Sequence, residues 1–143
     1  PQKQSQEIET TTQSDIHGLH LLVVEDNELN AEIAEMLLTD EGAHVTRVND
    51  GREALRIFQD NPAGTFDVIL MDIMMPVMDG LTATKEIRKL PRCDAQTIPI
   101  IAMTANAFEE DAKRCLDAGM NAHLAKPLEI EKVVATIGKY GKG

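Results

Sequence analysis

The sequence predicts an α/β fold, with five parallel strands in one doubly wound sheet and helices on both faces. Three observations carry that prediction. Short apolar runs alternate five times with stretches of helical periodicity between Leu19 and Tyr140, the pattern of repeated strand–helix units. The runs are continuous rather than alternating, as in Leu21-Leu22-Val23-Val24 and Val68-Ile69-Leu70-Met71, which suits strands covered on both faces. Turn and cap residues punctuate the segments, among them Gly42, Asn61-Pro62, Asp79-Gly80, Pro91 and Gly119.

Residues 1–18 are rich in Gln, Thr, Ser and Glu, with Ile8 and Ile16 as the only large aliphatics. Such a segment lacks the apolar surface to fold alone and reads as a flexible polar linker or leader. The domain is expected over 19–143. A start at Pro1 rather than Met suits a piece cut from a longer protein.

The first strand, Leu21–Val24, ends in Glu25-Asp26. A helix over 28–41 follows, with Leu29, Ile33, Met36 and Leu37 at the spacing of one apolar face, and Gly42 stops it. Ala43–Asn49 is the second strand. Asp50 is the N-cap of a helix carrying Ala54, Leu55 and Phe58, closed by Asn61-Pro62. Phe66–Met71 is the third strand and runs straight into Asp72. Past the Asp79-Gly80 turn, Leu81, Thr84, Ile87 and Leu90 mark a third helix that Pro91 ends. Ile98–Met103 is the fourth strand, followed by Thr104. Ala107–Ala118 is a helix with a weak apolar face and Gly119 as its cap. Met120–Ala125 is the fifth strand, broken by Lys126-Pro127, and Ile130, Val133, Val134, Ile137 and Tyr140 line the last helix. Right-handed crossovers between such strands put helices on both faces of the sheet.

At 143 residues the chain is long enough for one self-sufficient core. With no Trp, one Tyr and three Phe, that core has to be aliphatic and rich in Met. A formal charge of −10 excludes non-specific nucleic-acid binding, which depends on neutralising phosphates. No apolar run reaches the ~20 residues of a membrane helix, so no membrane contact by this domain is expected. Cys93 and Cys115 have no metal-ligand spacing, which together with the missing secretory signal favours a reducing, cytoplasmic setting. The parent protein can still be membrane-anchored.

The polar residues at the strand ends carry the chemistry. In a parallel sheet all C-terminal strand ends share one edge, so Glu25, Asp26, Asp72, Thr104 and Lys126 converge. A flavodoxin-like order of 2-1-3-4-5 makes strands 1 and 3 neighbours at the switch point, where such folds bind ligands. Three carboxylates there repel one another and call for a hard divalent cation, Mg²⁺ or Mn²⁺ in its place. Lys126 adds a positive charge and Thr104 a hydroxyl donor. Taken singly, Glu25-Asp26 reads as a helix cap, Thr104 as another, and Lys126 as a solvated charge. Together they form a receptor for a phosphoryl group arriving on Asp72, where the protein's task is positioning and charge stabilisation.

These residues bear a family resemblance. Leu-Val-Val-Glu-Asp-Asn at 22–27, the Asp72 stretch through Asp79-Gly80, Met-Thr-Ala-Asn-Ala at 103–107 and Ala-Lys-Pro at 125–127 resemble the response-regulator receiver domain in order and spacing. The resemblance covers the whole folded part and is closest to receiver domains of hybrid sensor histidine kinases. It implies that Asp72 is the phosphoacceptor, that Glu25, Asp26, Asp72 and the backbone carbonyl of Met74 hold Mg²⁺, and that Thr104 and Lys126 contact the phosphoryl oxygens. It further implies a cis peptide between Lys126 and Pro127. The donor would be a histidine kinase or a histidine phosphotransfer domain, and the readout face the fourth helix, fifth strand and last helix of the family fold. Association of receivers through their last helices extends the list to a weak homodimer. The domain would be a self-phosphorylating, self-dephosphorylating signalling module and not a turnover enzyme.

Two positions depart from the pattern. His123 stands where the family's switch is usually aromatic, so the coupling of Thr104 to His123 is expected to depart from the common pair. Met74, two residues past Asp72, cannot orient water by hydrogen bonding; with Asn106 it occupies a position that tunes dephosphorylation, and Met74 is expected to lengthen the phosphoryl lifetime. Other readings are a stand-alone single-domain response regulator and a haloacid-dehalogenase-like phosphohydrolase. The latter expects a second Asp where Met74 stands, and a cap domain.

Overall fold

The computed structural model describes residues 16–62, 64–73, 79–104, 109–125 and 128–141. Eleven elements follow in order: β1 (His20–Val24), α1 (Glu28–Asp40), β2 (His44–Val48), α2 (Gly51–Asp60), β3 (Val68–Asp72), α3 (Gly80–Arg88), α4 (Cys93–Thr97), β4 (Ile100–Thr104), α5 (Glu109–Ala118), β5 (Ala122–Ala125) and α6 (Ile130–Gly141). The five strands form one parallel sheet in the order β2-β1-β3-β4-β5. The expected strand order is therefore the observed one. The short helix α4 has no counterpart in the sequence reading, which ends the third helix at Pro91 and places no element before Ile98.

Two core layers sandwich the sheet. Leu21, Val23, Val68, Leu70, Ile101 and Met103 point to the side covered by α1 and α6, where Leu38, Val133 and Ile137 meet them. Leu22, Val24, Ile69, Met71 and Ala102 point to the other side, against Phe58 of α2 and Ile87 of α3. Every residue of β3 and β4 is buried, which is why those runs lack the alternation of a half-exposed strand.

Two features differ from the sequence reading. Ile16 falls within the predicted leader, yet it is fully buried among Leu21, Leu38 and Ile137, and the Gly18 amide donates to the Gly42 carbonyl. The Ile16 side chain thus packs with the core layer that α1 and α6 cover. On α1, the face expected to be buried is outward: Leu29, Ile33 and Met36 are exposed, while Ala31, Ala34 and Leu38 pack on the sheet. Small Ala side chains let the helix lie close against β1 and leave no room for the larger ones.

Caps match the residue types. Asp50 accepts from the Glu53 amide at 2.9 Å, and the Glu53 carboxylate accepts from the Asn49 amide at 3.0 Å, a reciprocal pair of bonds that fixes the start of α2. Asp79 accepts from the Thr82 amide at 2.8 Å, so the Asp79-Gly80 pair is the start of α3 rather than a free turn.

Helix α4 is tied down by Arg92. Its guanidinium donates twice to Asp94, at 3.0 and 2.9 Å, and to the carbonyls of Phe58 and Asn61 at 2.7 and 2.9 Å, while lying 4.6 Å over the Phe58 ring. This fork joins the end of α2 to the segment leading into β4. The hydrogen bonds from Arg92, with a weaker one from the Gly64 amide, hold the Asp94 carboxyl below the usual carboxylate range. A carboxyl whose folded pKa is depressed stabilises the fold above its unfolded pKa, about 4, and loses that contribution as pH falls through the folded value. Asp94→Asn is expected to cost about 1–2 kcal/mol at neutral pH, with the gap to wild type closing below about pH 4. Urea melts of both proteins from pH 3 to 7 check this, and a pH-independent gap would contradict it.

Candidate functional site

The site lies at the edge where β1, β3 and β4 end. Strand β1 delivers Glu25 directly after Val24, and the Glu25 amide is held by the Val48 carbonyl of β2 at 3.1 Å. Asp26 follows, and Asn27 then caps α1 by accepting from the Asn30 amide at 3.0 Å. The Asn27 amide in turn donates to Glu25 Oε1 at 3.1 Å, which fixes the Glu25 carboxylate beside the helix start. Glu25 and Asp72 are buried and Asp26 is exposed. Asp72 ends β3, in register with Met103 of β4, and the Ile73 amide donates to the Met103 carbonyl at 3.3 Å. Thr104, the buried last residue of β4, pairs in register with Ala125 at the end of β5.

Carboxylate oxygens of Glu25, Asp26 and Asp72 all lie within 4.8 Å of one another. Two are shielded by the core and one opens to solvent. All-oxygen, anionic donors with one open side match what a small hard dication needs while it keeps water or phosphate oxygens in its remaining positions. The donor set fits a hard dication such as Mg²⁺ far better than a soft metal.

Of the residues singled out in the sequence, the structure brings Glu25, Asp26 and Asp72 into one cluster and ends the neighbouring strand on Thr104. Met74, Asn106, Lys126 and Pro127, with the peptide between the last two, lie outside the described residues. His123 sits on β5 in register with Ala102 and is exposed, beside a shallow hollow that Ala135, Thr136 and Lys139 of α6 help to line. No helix among the described residues is long and apolar enough to cross a membrane.

Two positioning residues escaped the sequence reading. Asn27 was visible as a residue type, since Asn before a helical run is a cap signal. The sequence presents Gly80 only as a turn residue, but its amide donates to the Ile73 carbonyl at 3.3 Å and its α-carbon packs directly under Asp72 and Ile73. Any side chain there would meet the Asp72 carbonyl, and a β-carbon would stand 2.8 Å from the Ile73 α-carbon. Sequence carries no signal for such an approach, because it depends on where α3 crosses β3.

Comparison with known proteins agrees with this geometry. Residues 21–138 match the family described as the response regulator receiver domain. Hybrid signal transduction histidine kinase L of Dictyostelium discoideum is 38% identical over 128 residues, covering 85% of this chain and 7% of the kinase; the chain thus spans a small fraction of that relative's length. The crystal structure of the receiver domain of a sensor histidine kinase from Pseudomonas aeruginosa, with a magnesium ion coordinated in its active-site cleft, superposes with a TM-score of 0.78. It is 40% identical and is covered over 88% of this chain and 99% of that one. A second neighbour is the receiver domain of a Saccharomyces cerevisiae response regulator, solved together with a histidine phosphotransfer protein. It has a TM-score of 0.77 and 26% identity, over 89% of this chain and 91% of that one. With its strand order, its acidic cluster and the span of the match all in agreement, this chain belongs to the response regulator receiver domain family.

Proposed function

We propose that this domain takes a phosphoryl group from a phosphohistidine donor onto Asp72 and works within a phosphorelay, as the receiver of a hybrid histidine kinase. The observation that carries the reading is the convergence of Glu25, Asp26 and Asp72 within 4.8 Å. A bound Mg²⁺ would neutralise charge among these carboxylates and on the incoming phosphoryl oxygens; Mn²⁺ has the same oxygen preference. Glu25 and Asp26 would hold the ion with Asp72, and the Met74 carbonyl would complete the protein ligands.

In the transfer, an Asp72 carboxylate oxygen forms the new P–O bond as the P–N bond to the donor imidazole breaks. The imidazole leaves with the bonding pair and ends neutral after taking up a proton. Thr104, at the end of the adjacent strand, donates its hydroxyl to a phosphoryl oxygen, and Lys126 supplies positive charge at the same group. Hydrolysis of the phosphoryl–Asp72 bond resets the domain, and Met74 and Asn106 set its rate. The domain is on this reading a cytoplasmic switch module, not an enzyme acting on external substrates. Its readout uses the face of α5, β5 and α6, where His123 stands exposed next to α6; weak self-association would use α6.

Incubation with Mg²⁺ and acetyl phosphate followed by intact mass measurement tests the proposal. One base-labile phosphoryl adduct is expected on wild type and none on Asp72→Asn. Rapid consumption of the donor with no trappable adduct would instead favour a phosphohydrolase.

A further inference from the structure

Three strand starts, at the edge of the sheet opposite the acidic cluster, carry side chains that the function above does not use. His20 opens β1 and His44 opens β2, and the two are in-register partners. Asp67 precedes β3 and lies beside His20 on the other side, its amide donating to the His20 carbonyl at 2.7 Å. Neighbouring strands are about 4.8 Å apart and in-register side chains share a face, so His44, His20 and Asp67 form one row across three strands. Their positions in the chain are far apart, and no ligand spacing announces them.

The row has the donors and the spacing of a metal site. The imidazole rings of His20 and His44 are 4.8 Å apart at their centroids and 18° from parallel. Asp67 is fixed by accepting from the His20 amide at 2.8 Å, and the same oxygen lies 3.9 Å from His20 Nδ1. That separation is too long for a hydrogen bond. It is within the span of one ion bound by both atoms, since Zn–N and Zn–O bonds of about 2.0–2.2 Å add to about 4 Å. Among the described residues no hydrogen bond occupies a ring nitrogen of either histidine. Both histidines are exposed, so their rings can turn from stacked to convergent without disturbing the core.

We infer that His20, His44 and Asp67 form a second cation site, one for a d-block dication of the Zn²⁺ type. Two imidazoles and a carboxylate suit such an ion, whereas the all-carboxylate cluster at the other edge suits a hard one. Donor chemistry thus sorts cations between the two ends of the sheet, about 16 Å apart along the five residues of β1. An ion in this row ties the edge strand β2 to β1 and β3. The unfolded chain does not hold the three groups together, so binding stabilises the fold.

The test titrates the full chain with Zn²⁺ while excess Mg²⁺ competes for the acidic cluster. Heat of binding, the thermal midpoint and the histidine ring signals in NMR spectra are followed. One Zn²⁺ per chain is expected in this row, with a raised midpoint and joint shifts of the His20 and His44 ring signals. His20→Gln and His44→Gln should each weaken Zn²⁺ binding by about tenfold or more, the loss that follows when a metal's surroundings are disturbed. Asp67→Asn, which keeps an acceptor for the His20 amide but loses the charge, should weaken it severalfold. Metal-free midpoints of the histidine variants should match wild type, because both side chains lie outside the core. Asp72→Asn should bind Zn²⁺ in this row as wild type does. Absence of Zn²⁺ binding to the folded protein overturns the proposal, as does equal affinity in wild type and His44→Gln. An affinity lost in Asp72→Asn and kept in the histidine variants overturns it too, since the ion would then sit in the acidic cluster.

Discussion

Asp26→Asn is expected to stabilise the metal-free protein while removing most of its response to Mg²⁺. Oxygens of Asp26, Glu25 and Asp72 lie within 4.8 Å of one another. Like charges at that distance repel by about 3 kcal/mol at an effective dielectric near 20, and solvent at the exposed Asp26 reduces this to about 1 kcal/mol. Neutralising Asp26 relieves that repulsion, so the thermal midpoint without Mg²⁺ should rise by a few degrees. The wild type then gains stability with added Mg²⁺ in proportion to its affinity, and the variant, short of one anionic ligand, gains far less. Acetyl phosphate labelling at fixed, subsaturating Mg²⁺ should drop by at least tenfold. Thermal melts with and without Mg²⁺ read the first effect and intact mass the second. An identical Mg²⁺ response in both proteins would remove Asp26 from the ligand set.

Gly80→Ala sets packing against propensity. Gly80 opens α3, and exchanging Gly for Ala in an unobstructed helix gains up to about 1 kcal/mol. Here the new methyl would collide with the Asp72 carbonyl and stand 2.8 Å from the Ile73 α-carbon and 2.9 Å from Met71 Cγ. The first two are backbone atoms of the acceptor strand, which cannot move aside as a side chain end can. The expected net cost is about 1–3 kcal/mol, the range for overpacked cores. The larger effect is on chemistry: relieving the contact pushes α3 from β3 or shifts Asp72 itself, and a displacement near 1 Å can cost about a hundredfold in rate. Denaturant melts and the acetyl phosphate labelling rate measure the two effects separately. A variant as stable and as reactive as wild type would show that the α3–β3 approach has slack.

These two residues also show where sequence reading reaches its limit. Asp26 announces itself, because an acidic pair at the end of an apolar run and an Asp ending another such run must meet if the strands are parallel neighbours. Alternation of elements makes the strands parallel and sends their C-terminal ends to one edge, and a flavodoxin-like order makes strands 1 and 3 neighbours, so Glu25, Asp26, Asp72 and Thr104 are all legible in the sequence. Gly80 was legible only as half of an Asp-Gly turn signal, since its constraint comes from a helix crossing a strand that lies eight or more positions away. Arg92 and Asp94 were likewise silent: a five-residue helix has too little periodicity to be seen, and its stability comes from the guanidinium contacts to α2 rather than from its own sequence.

Helix α1 marks the division most clearly. Its existence, its Asn27 cap and its end before Gly42 are local properties, set by side chain–backbone hydrogen bonds and by a left-handed glycine with φ near 92°. Which face turns inward is not local. Both Ala31-Ala34-Leu38 and Leu29-Ile33-Met36 satisfy helical spacing, and hydrophobicity alone favours the larger set. The tertiary structure decided for the smaller set because the helix must lie close to β1 for the sheet to be covered, and only small side chains fit that gap. The parallel strands and the convergence of their acidic ends were thus determined by the chain's own pattern, whereas the face of α1 left exposed was determined by how closely that helix had to pack.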